Sequence, residues 1–221
     1  MTCWNQITID GPAASGKSSI GKAVAEKINW FFLSSGQIYR AIALAYFNLE
    51  KSSLNFNKSK LTKFIRCLNL KIHENGISVN EKKLTSLFDP KINETLRLIA
   101  NQKSIRAFIN KHIINYAQKN NVIVEGRDIG SKVLTNAFLK IYIDADINTR
   151  ALRRFQQQGE KKIISIETIQ KQINDRDDAD KNRKIDPLVI PSNAIIIDTT
   201  NLTFDETVEK IITIFKEKYN A

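Results

Sequence analysis

A chain of 221 residues, 42% hydrophobic and 26% charged, is long enough to bury one sizeable core, as one domain or a domain carrying an insertion. The formal charge of +11 is spread over scattered lysines without a block of like charges, which argues against nucleic-acid binding as the main function. No stretch approaches the roughly 20 apolar residues of a membrane span, and Met1-Thr2-Cys3-Trp4-Asn5 leads straight into a strand without a signal-peptide pattern, so a cytoplasmic protein is expected.

Gln6–Asp10 reads as a short buried strand, and Ser18–Asn29 as a helix. Between them, Gly11-Pro12-Ala13-Ala14-Ser15-Gly16-Lys17-Ser18 fits G-x-x-x-x-G-K-[ST], a loop that wraps polyphosphate in backbone N–H groups at a helix N-terminus. Together with Ser19 it is the expected ATP-binding segment. Lys17 is placed to reach the β- and γ-phosphates, and the Ser18 hydroxyl to ligate Mg²⁺.

Further apolar runs at Trp30–Leu33, Asn121–Glu125, Leu139–Asp144 and Ala194–Asp198 read as strands buried on both faces. Helical patterns follow most of them, at Gln37–Asn48, Ile147–Gln158 and Phe204–Tyr219, the last capped by Thr203 with Glu206 three residues on. The alternation predicts an α/β fold: a doubly wound parallel sheet with ligands at the carboxyl ends of its strands. Residues 50–92 break the rhythm. A short helix over Leu61–Asn69 and a hairpin pairing Leu70–His73 with Ile77–Val79 across Asn75-Gly76 suggest a small insertion. A long helix over about Lys91–Lys119 then returns the chain to the core. Cys3 and Cys67 lack CxxC spacing, so neither a disulfide framework nor a zinc site is expected. His73 and His112 are read as structural.

Four other constellations carry charge. Arg40 lies one turn into the helix after Ser34-Ser35-Gly36, where it suits either an anion at that turn or a surface position. Glu125-Gly126-Arg127-Asp128-Ile129-Gly130 puts an Arg and an Asp at a strand's carboxyl end, fit for an anion and an amino group or for an internal ion pair. Arg150, Arg153 and Arg154 share a helix face at i, i+3 and i+4, either as a solvated basic face or as a lid that neutralises transferring phosphate. Arg176 to Arg183 mixes both signs, as in a salt-bridged helix end or a binding segment.

In order and spacing these motifs, with Ile38-Tyr39-Arg40 and the closing Ile197-Asp198-Thr199-Thr200-Asn201-Leu202, resemble the bacterial cytidylate kinases over nearly the whole chain, most weakly over 50–95. The resemblance implies a P-loop NTPase-type fold with a five-stranded parallel sheet, core segments 1–49 and 93–221, an NMP-binding insertion at about 50–92 and a lid at about 156–165. It implies ATP-dependent phosphorylation of CMP or dCMP with Mg²⁺. Ser35, Arg40, Arg127 and Arg183 would surround the CMP phosphate, Arg106 and Asp128 would face the cytosine, and Arg176 and Asp180 would approach the sugar. Lys17, Arg150, Arg153 and Arg154 would be the catalytic residues, acting on the transferring phosphoryl group. The sequence departs from the family pattern at Ser34, where an Asp is common, at Arg97, where a base-contacting Ser is frequent, and at Phe88, near a usual Ile-Arg pair.

Transfer between phosphates needs positioning and charge stabilisation, and the acceptor oxygen is already ionised, so no general base or covalent intermediate is expected. UMP, dTMP or shikimate are the nearest alternative acceptors, and an amino-bearing base suits Arg106 and Asp128 better than dTMP does. A GTPase switch is disfavoured, because Asn57-Lys58-Ser59-Lys60 and Asn110-Lys111-His112-Ile113 both lack the Asp of a guanine-reading loop. Small-molecule partners, no nucleic acid, no membrane and a monomer are the remaining expectations.

Overall fold

The computed structural model describes residues 4–50, 57–73, 76–83, 87, 89–157 and 164–219. Two compact units emerge, one of residues 1–33 and 120–221 and the other of residues 34–119. The second unit contains the whole of the stretch 50–92. Residues 158–163 of the expected lid, 51–56, 74–75 and 84–86 of the expected insertion, and Phe88 lie outside the described residues.

The main sheet has the order β2-β6-β1-β7-β8, with β1 Gln6–Asp10, β2 Phe31–Ser34, β6 Val122–Gly126, β7 Leu139–Asp144 and β8 Ile195–Asp198. All five strands run parallel, with Asp10 beside Gly126 on one side and beside Tyr142 on the other. Ile and Val dominate β1, β6, β7 and β8, as β-branched side chains suit a pleated surface; contrary to the expected burial on both faces, β8 lies at the sheet edge with Ile195 and Ile196 exposed and Ile197 buried. The sheet accords with the predicted doubly wound class, and β1 and β7 have the predicted limits.

Within the first unit, α1 (Lys17–Ile28) and α8 (Phe204–Tyr219) share a core with the sheet. Ile7, Ile9, Ile123, Ile141 and Ile143 meet Val24 of α1 and Val208, Ile211, Ile212 and Phe215 of α8. The i, i+3, i+4, i+7 spacing of the α8 residues makes one apolar stripe, and each fully buried side chain of this kind contributes about 1.5–3 kcal/mol. The predicted capping box is present: Thr203 Oγ1 accepts from Glu206 N at 3.2 Å and Glu206 Oε2 accepts from Thr203 N at 2.8 Å. The helices α6 (Ile147–Gln156) and α7 (Ile166–Asn182) are also in this unit. Ile169 and Ile173 of α7 and Ala151 of α6 bury against Ala13. The sequence reading marked only the charged end of α7; the structure extends it back to a Ser165 cap, whose hydroxyl accepts from Thr168 N.

The second unit holds α2 (Ser35–Glu50), α3 (Lys58–Arg66), the antiparallel strands β3 (Leu70–His73), β4 (Gly76–Val79) and β5 (Lys82–Lys83), α4 (Asn93–Ala100) and α5 (Lys103–Ala117). The predicted hairpin pairing is present, with Leu70 opposite Val79 and Ile72 opposite Ile77. The single helix expected over 91–119 is instead a 3₁₀ turn, Pro90–Ile92, followed by two helices. The break comes at Gln102, whose backbone is extended (φ −99°, ψ 120°) and whose amide side chain donates to Leu98 O at 3.2 Å.

Candidate active site

The loop joining β1 to α1 turns through two left-handed residues, Ala14 at φ 58° and Gly16 at φ 84°. Gly16 caps α1, and Ile20 N returns to its carbonyl at 3.0 Å. The first turn of α1 and the loop amides therefore make an anion-receiving concavity. Lys17 is 5% exposed, and its ammonium donates to Pro12 O at 2.7 Å across the loop. Burial, followed by the Arg127 guanidinium, pulls its pKa from 10.5 down to about 7, against the opposing pull of Glu125 and Asp10. Ser18 and Ser19 are exposed on the first turn of α1, whereas Ser15 is fully buried and its hydroxyl has no partner among the described residues.

Beside the loop, at the carboxyl end of β6, Gly126-Arg127-Asp128 leads into a π-helical turn, Ile129–Val133. Asp10, the last residue of β1, fixes this turn: its carboxylate accepts from Ile129 N at 2.9 Å and Gly130 N at 2.7 Å. Burial raises the Asp10 pKa from 3.8 to about 6, while the two backbone donors pull it the other way. The sequence reading missed Asp10. Its signal was an acid ending an otherwise apolar strand directly before the glycine loop.

Arg127 and Asp128, at the end of β6, come together with Asp180 and Arg183, at the end of α7. Arg127 Nε donates to Asp180 Oδ2 at 2.9 Å, Arg183 donates to Asp128 Oδ1 at 2.9 Å, and Arg183 also meets Asp180 Oδ1 at 3.4 Å. Arg183 ends α7 and donates through Nε to Asp186 O. Two guanidinium groups thus alternate with two carboxylates, an arrangement that an incoming phosphate can enter by competing for the arginines. Arg176, on the same helix, is exposed.

The three arginines of α6 do not form one exposed cluster, in contrast to the shared face read from their spacing. Arg150 is buried, with Nε donating to Ala145 O at 2.9 Å and Nη1 donating to Ala13 O at 2.9 Å and Asp177 Oδ2 at 2.5 Å. Arg153 reaches the turn after β8, donating to Thr199 Oγ1 at 3.0 Å, Thr199 O at 2.6 Å and Leu202 O at 3.3 Å. Arg154 is exposed and donates to Gln157 Oε1 at 3.2 Å. Long side chains on adjacent helical positions lean toward different acceptors, so common spacing did not produce a common destination. Asp177, also missed, was hidden inside the mixed-charge run.

In the second unit, Ser35 begins α2 and is buried, and Ser34 Oγ accepts from Gln37 N at 3.3 Å. At this departure from the family pattern the side chain therefore caps a helix. Arg40 donates to Leu87 O at 3.3 Å and approaches Asn93 Oδ1 at 3.5 Å. Arg106 is 3% exposed, donates to Ala100 O at 3.2 Å and lies 5.7 Å from the centre of the Tyr39 ring. Arg97 is exposed on α4. His73 meets Ser78 Oγ and His112 meets Phe108 O, each at 2.9 Å. No helix is long and apolar enough to cross a membrane, and no trio of His, Cys, Asp or Glu gathers in a metal-binding group among the described residues.

The family model described as cytidylate kinase matches residues 7–217. The chain is 39% identical over 214 residues to a cytidylate kinase of Clostridium botulinum (strain Loch Maree / Type A3), covering 95% of this chain and 97% of that one. It is 36% identical over 219 residues to a cytidylate kinase of Mycoplasmoides gallisepticum, covering 96% and 94% respectively. In fold it is similar to a shikimate kinase from Acinetobacter baumannii, with a TM-score of 0.50 and 13% identity over 97% of this chain and 94% of that one.

Proposed function

Because the chain belongs to the cytidylate kinase family, we propose that it transfers the γ-phosphoryl group of ATP to the phosphate of CMP or dCMP, giving ADP and CDP or dCDP. The observation that carries the reading is the pairing of two phosphate-fit features in one unit: the glycine loop with buried Lys17, and the Arg127–Asp180–Arg183–Asp128 network fixed beside it by Asp10. One would hold the donor phosphates and the other the acceptor phosphate, so that an acceptor oxygen lines up behind the transferring group.

Within this reading, Gly11 to Ser19 bind ATP and Lys17 draws the γ-phosphoryl charge. In the first unit, Arg127 and Arg183 hold the CMP phosphate, Asp128 reads the cytosine, and Arg176 and Asp180 lie toward the sugar; for the second unit, family membership supports a phosphate role for Ser35 and Arg40 and a base role for Arg106. Of the α6 arginines, exposed Arg154 would approach transferring phosphate directly, while Arg150 holds Ala13 O of the loop and Arg153 holds Thr199 O. Exposed Ser18 offers one hard oxygen, with no accompanying acidic cluster among the described residues, a donor set that fits Mg²⁺ arriving on triphosphate oxygens. Bound there, Mg²⁺ would neutralise phosphate charge. Family membership supports an NMP-binding role for about 50–92 and a lid role for about 156–165. The same reading carries a cytoplasmic monomer acting on small molecules.

The test is ADP release with CMP as acceptor in wild type and Arg183→Ala. The reading expects the variant's KM for CMP to rise by at least about 10-fold, in line with the loss of a charge-assisted hydrogen bond, with the KM for ATP nearly constant. A rise confined to ATP would overturn the assignment of the two sites.

A further inference from the structure

Ala13 and Ala14 form the bend of the phosphate loop, and the glycine pattern does not say what fixes their backbone. Ala14 stands at φ 58°, a left-handed conformation that a residue with a Cβ keeps only where its surroundings impose it. The preceding peptide is held on both sides. Ala13 N donates to Asp177 Oδ1 at 2.7 Å, and Ala13 O accepts from Arg150 Nη1 at 2.9 Å. Arg150 Nη1 closes the triangle on Asp177 Oδ2 at 2.5 Å, and its Nε is anchored on Ala145 O at 2.9 Å, just past β7. Ala13, Arg150 and Asp177 are 4%, 8% and 3% exposed, so water is poorly placed to substitute for any of these bonds. The Ala13 amide is thereby committed to a carboxylate, and the amides that remain for phosphate begin after it.

We infer that Asp177 is a positioning residue of the phosphate loop. It acts through the Ala13 peptide, with Arg150 as its counter-charge, and keeps Ala14 in the conformation that presents the amides from Ser15 to Ser18. The inference rests on the reading that this loop binds nucleotide phosphate. It adds to that reading a role for Asp177 and makes Arg150 a part of the loop's support. A buried ion pair that merely ties α6 to α7 would leave the loop's affinity untouched, and this gives the test its contrast.

Asp177→Asn keeps the shape and one acceptor oxygen but loses the charge facing Arg150. Calorimetry with MgADP, at a temperature where every variant is folded, reads the consequence. Binding weakens by about 10- to 100-fold, as expected for loss of a buried hydrogen bond to a charged group, and the KM for ATP rises more than that for CMP. Adding Ala14→Gly in the Asp177→Asn background recovers about 5-fold or more, because glycine adopts the left-handed conformation at little cost. Unchanged MgADP affinity with a lowered Tm, or no recovery by Ala14→Gly, overturns the inference. A wild type that does not bind MgADP overturns the kinase reading beneath it. If Asp177→Asn fails to fold, amide exchange at Ala13 in the wild-type protein decides. Slow exchange is expected, and exchange as fast as that of exposed loop amides contradicts the inference.

Discussion

Bonds that shape the first unit's loops differ in kind from many of those in the second. Asp177 reaches Ala13 across 164 positions and Asp10 reaches Gly130 across 120, and both contacts are buried. In residues 34–119 many polar bonds are short-range and exposed, such as Asn57 Oδ1 accepting from Ser59 N and Lys60 N, Asn69 N on Asn80 Oδ1, and Lys71 with Glu81. Short-range bonds define local elements and can be read from adjacent residues. Buried long-range bonds set the positions of loops that must meet phosphate, because their strength is not diluted by water.

The largest expected effect lies at the centre of the first kind. Lys17→Ala should lower kcat by at least about 100-fold, the scale of losing one preorganised charge donor, with the circular dichroism spectrum preserved. Turnover above a tenth of wild type would remove Lys17 from the chemistry. Next, Asp128→Ala should cost about 10- to 100-fold in kcat/KM for CMP, from a lost hydrogen bond to a charged group, while the KM for ATP stays near wild type. The variant also deprives Arg183 of one of its two carboxylates, so a lower Tm should accompany the kinetic change.

The buried lysine gives a pH signature. With its pKa near 7, Lys17 is partly neutral at neutral pH, and phosphate should restore its charge. MgADP binding at pH 7.5 should therefore take up protons, read as a dependence of the binding enthalpy on the buffer's ionisation heat, and affinity should fall as pH rises above 7. In stability the sign is opposite to that of a salt-bridged lysine. Between about 7 and 10.5 the unfolded chain binds more protons than the folded one, so stability from this group rises with pH through that window. Lys17→Met should accordingly raise Tm more at pH 6 than at pH 9. Equal shifts at the two pH values would mean that the ammonium is not desolvated as described.

The smallest effect tests the second kind of bond. Asn57→Ala, which removes the N-cap of α3, should lower stability by about 0.5–2 kcal/mol and leave the KM for ATP unchanged. A large change in ATP binding would break the distinction between the two kinds.

The same distinction explains what the sequence made legible. The five strands, the glycine loop with Lys17, the Thr203–Glu206 capping box and the β3–β4 pairing all follow from short patterns of period, turn chemistry or capping. The meeting of Arg127, Asp128, Asp180 and Arg183 was anticipated only through the family resemblance, since two segments more than fifty positions apart must fold together to form it. Asp10 and Asp177 escaped because a buried carboxylate that accepts from a distant amide leaves no local periodicity. The α6 arginines were misread for the converse reason. Their spacing was plain, but the acceptors that pull Arg150 toward Ala13 and Arg153 toward Thr199 come from other parts of the chain. The helix break at Gln102 was invisible because its residues suit a helix, and only backbone geometry ends it there.

One measurement bears most directly on the central claim: coupled ADP release with ATP and Mg²⁺ across CMP, dCMP, UMP, AMP and dTMP. The account predicts turnover that depends on an acceptor, highest kcat/KM for CMP or dCMP, and loss of that preference in Asp128→Ala. Equal rates with all five acceptors, or ADP release that continues without any, would contradict it.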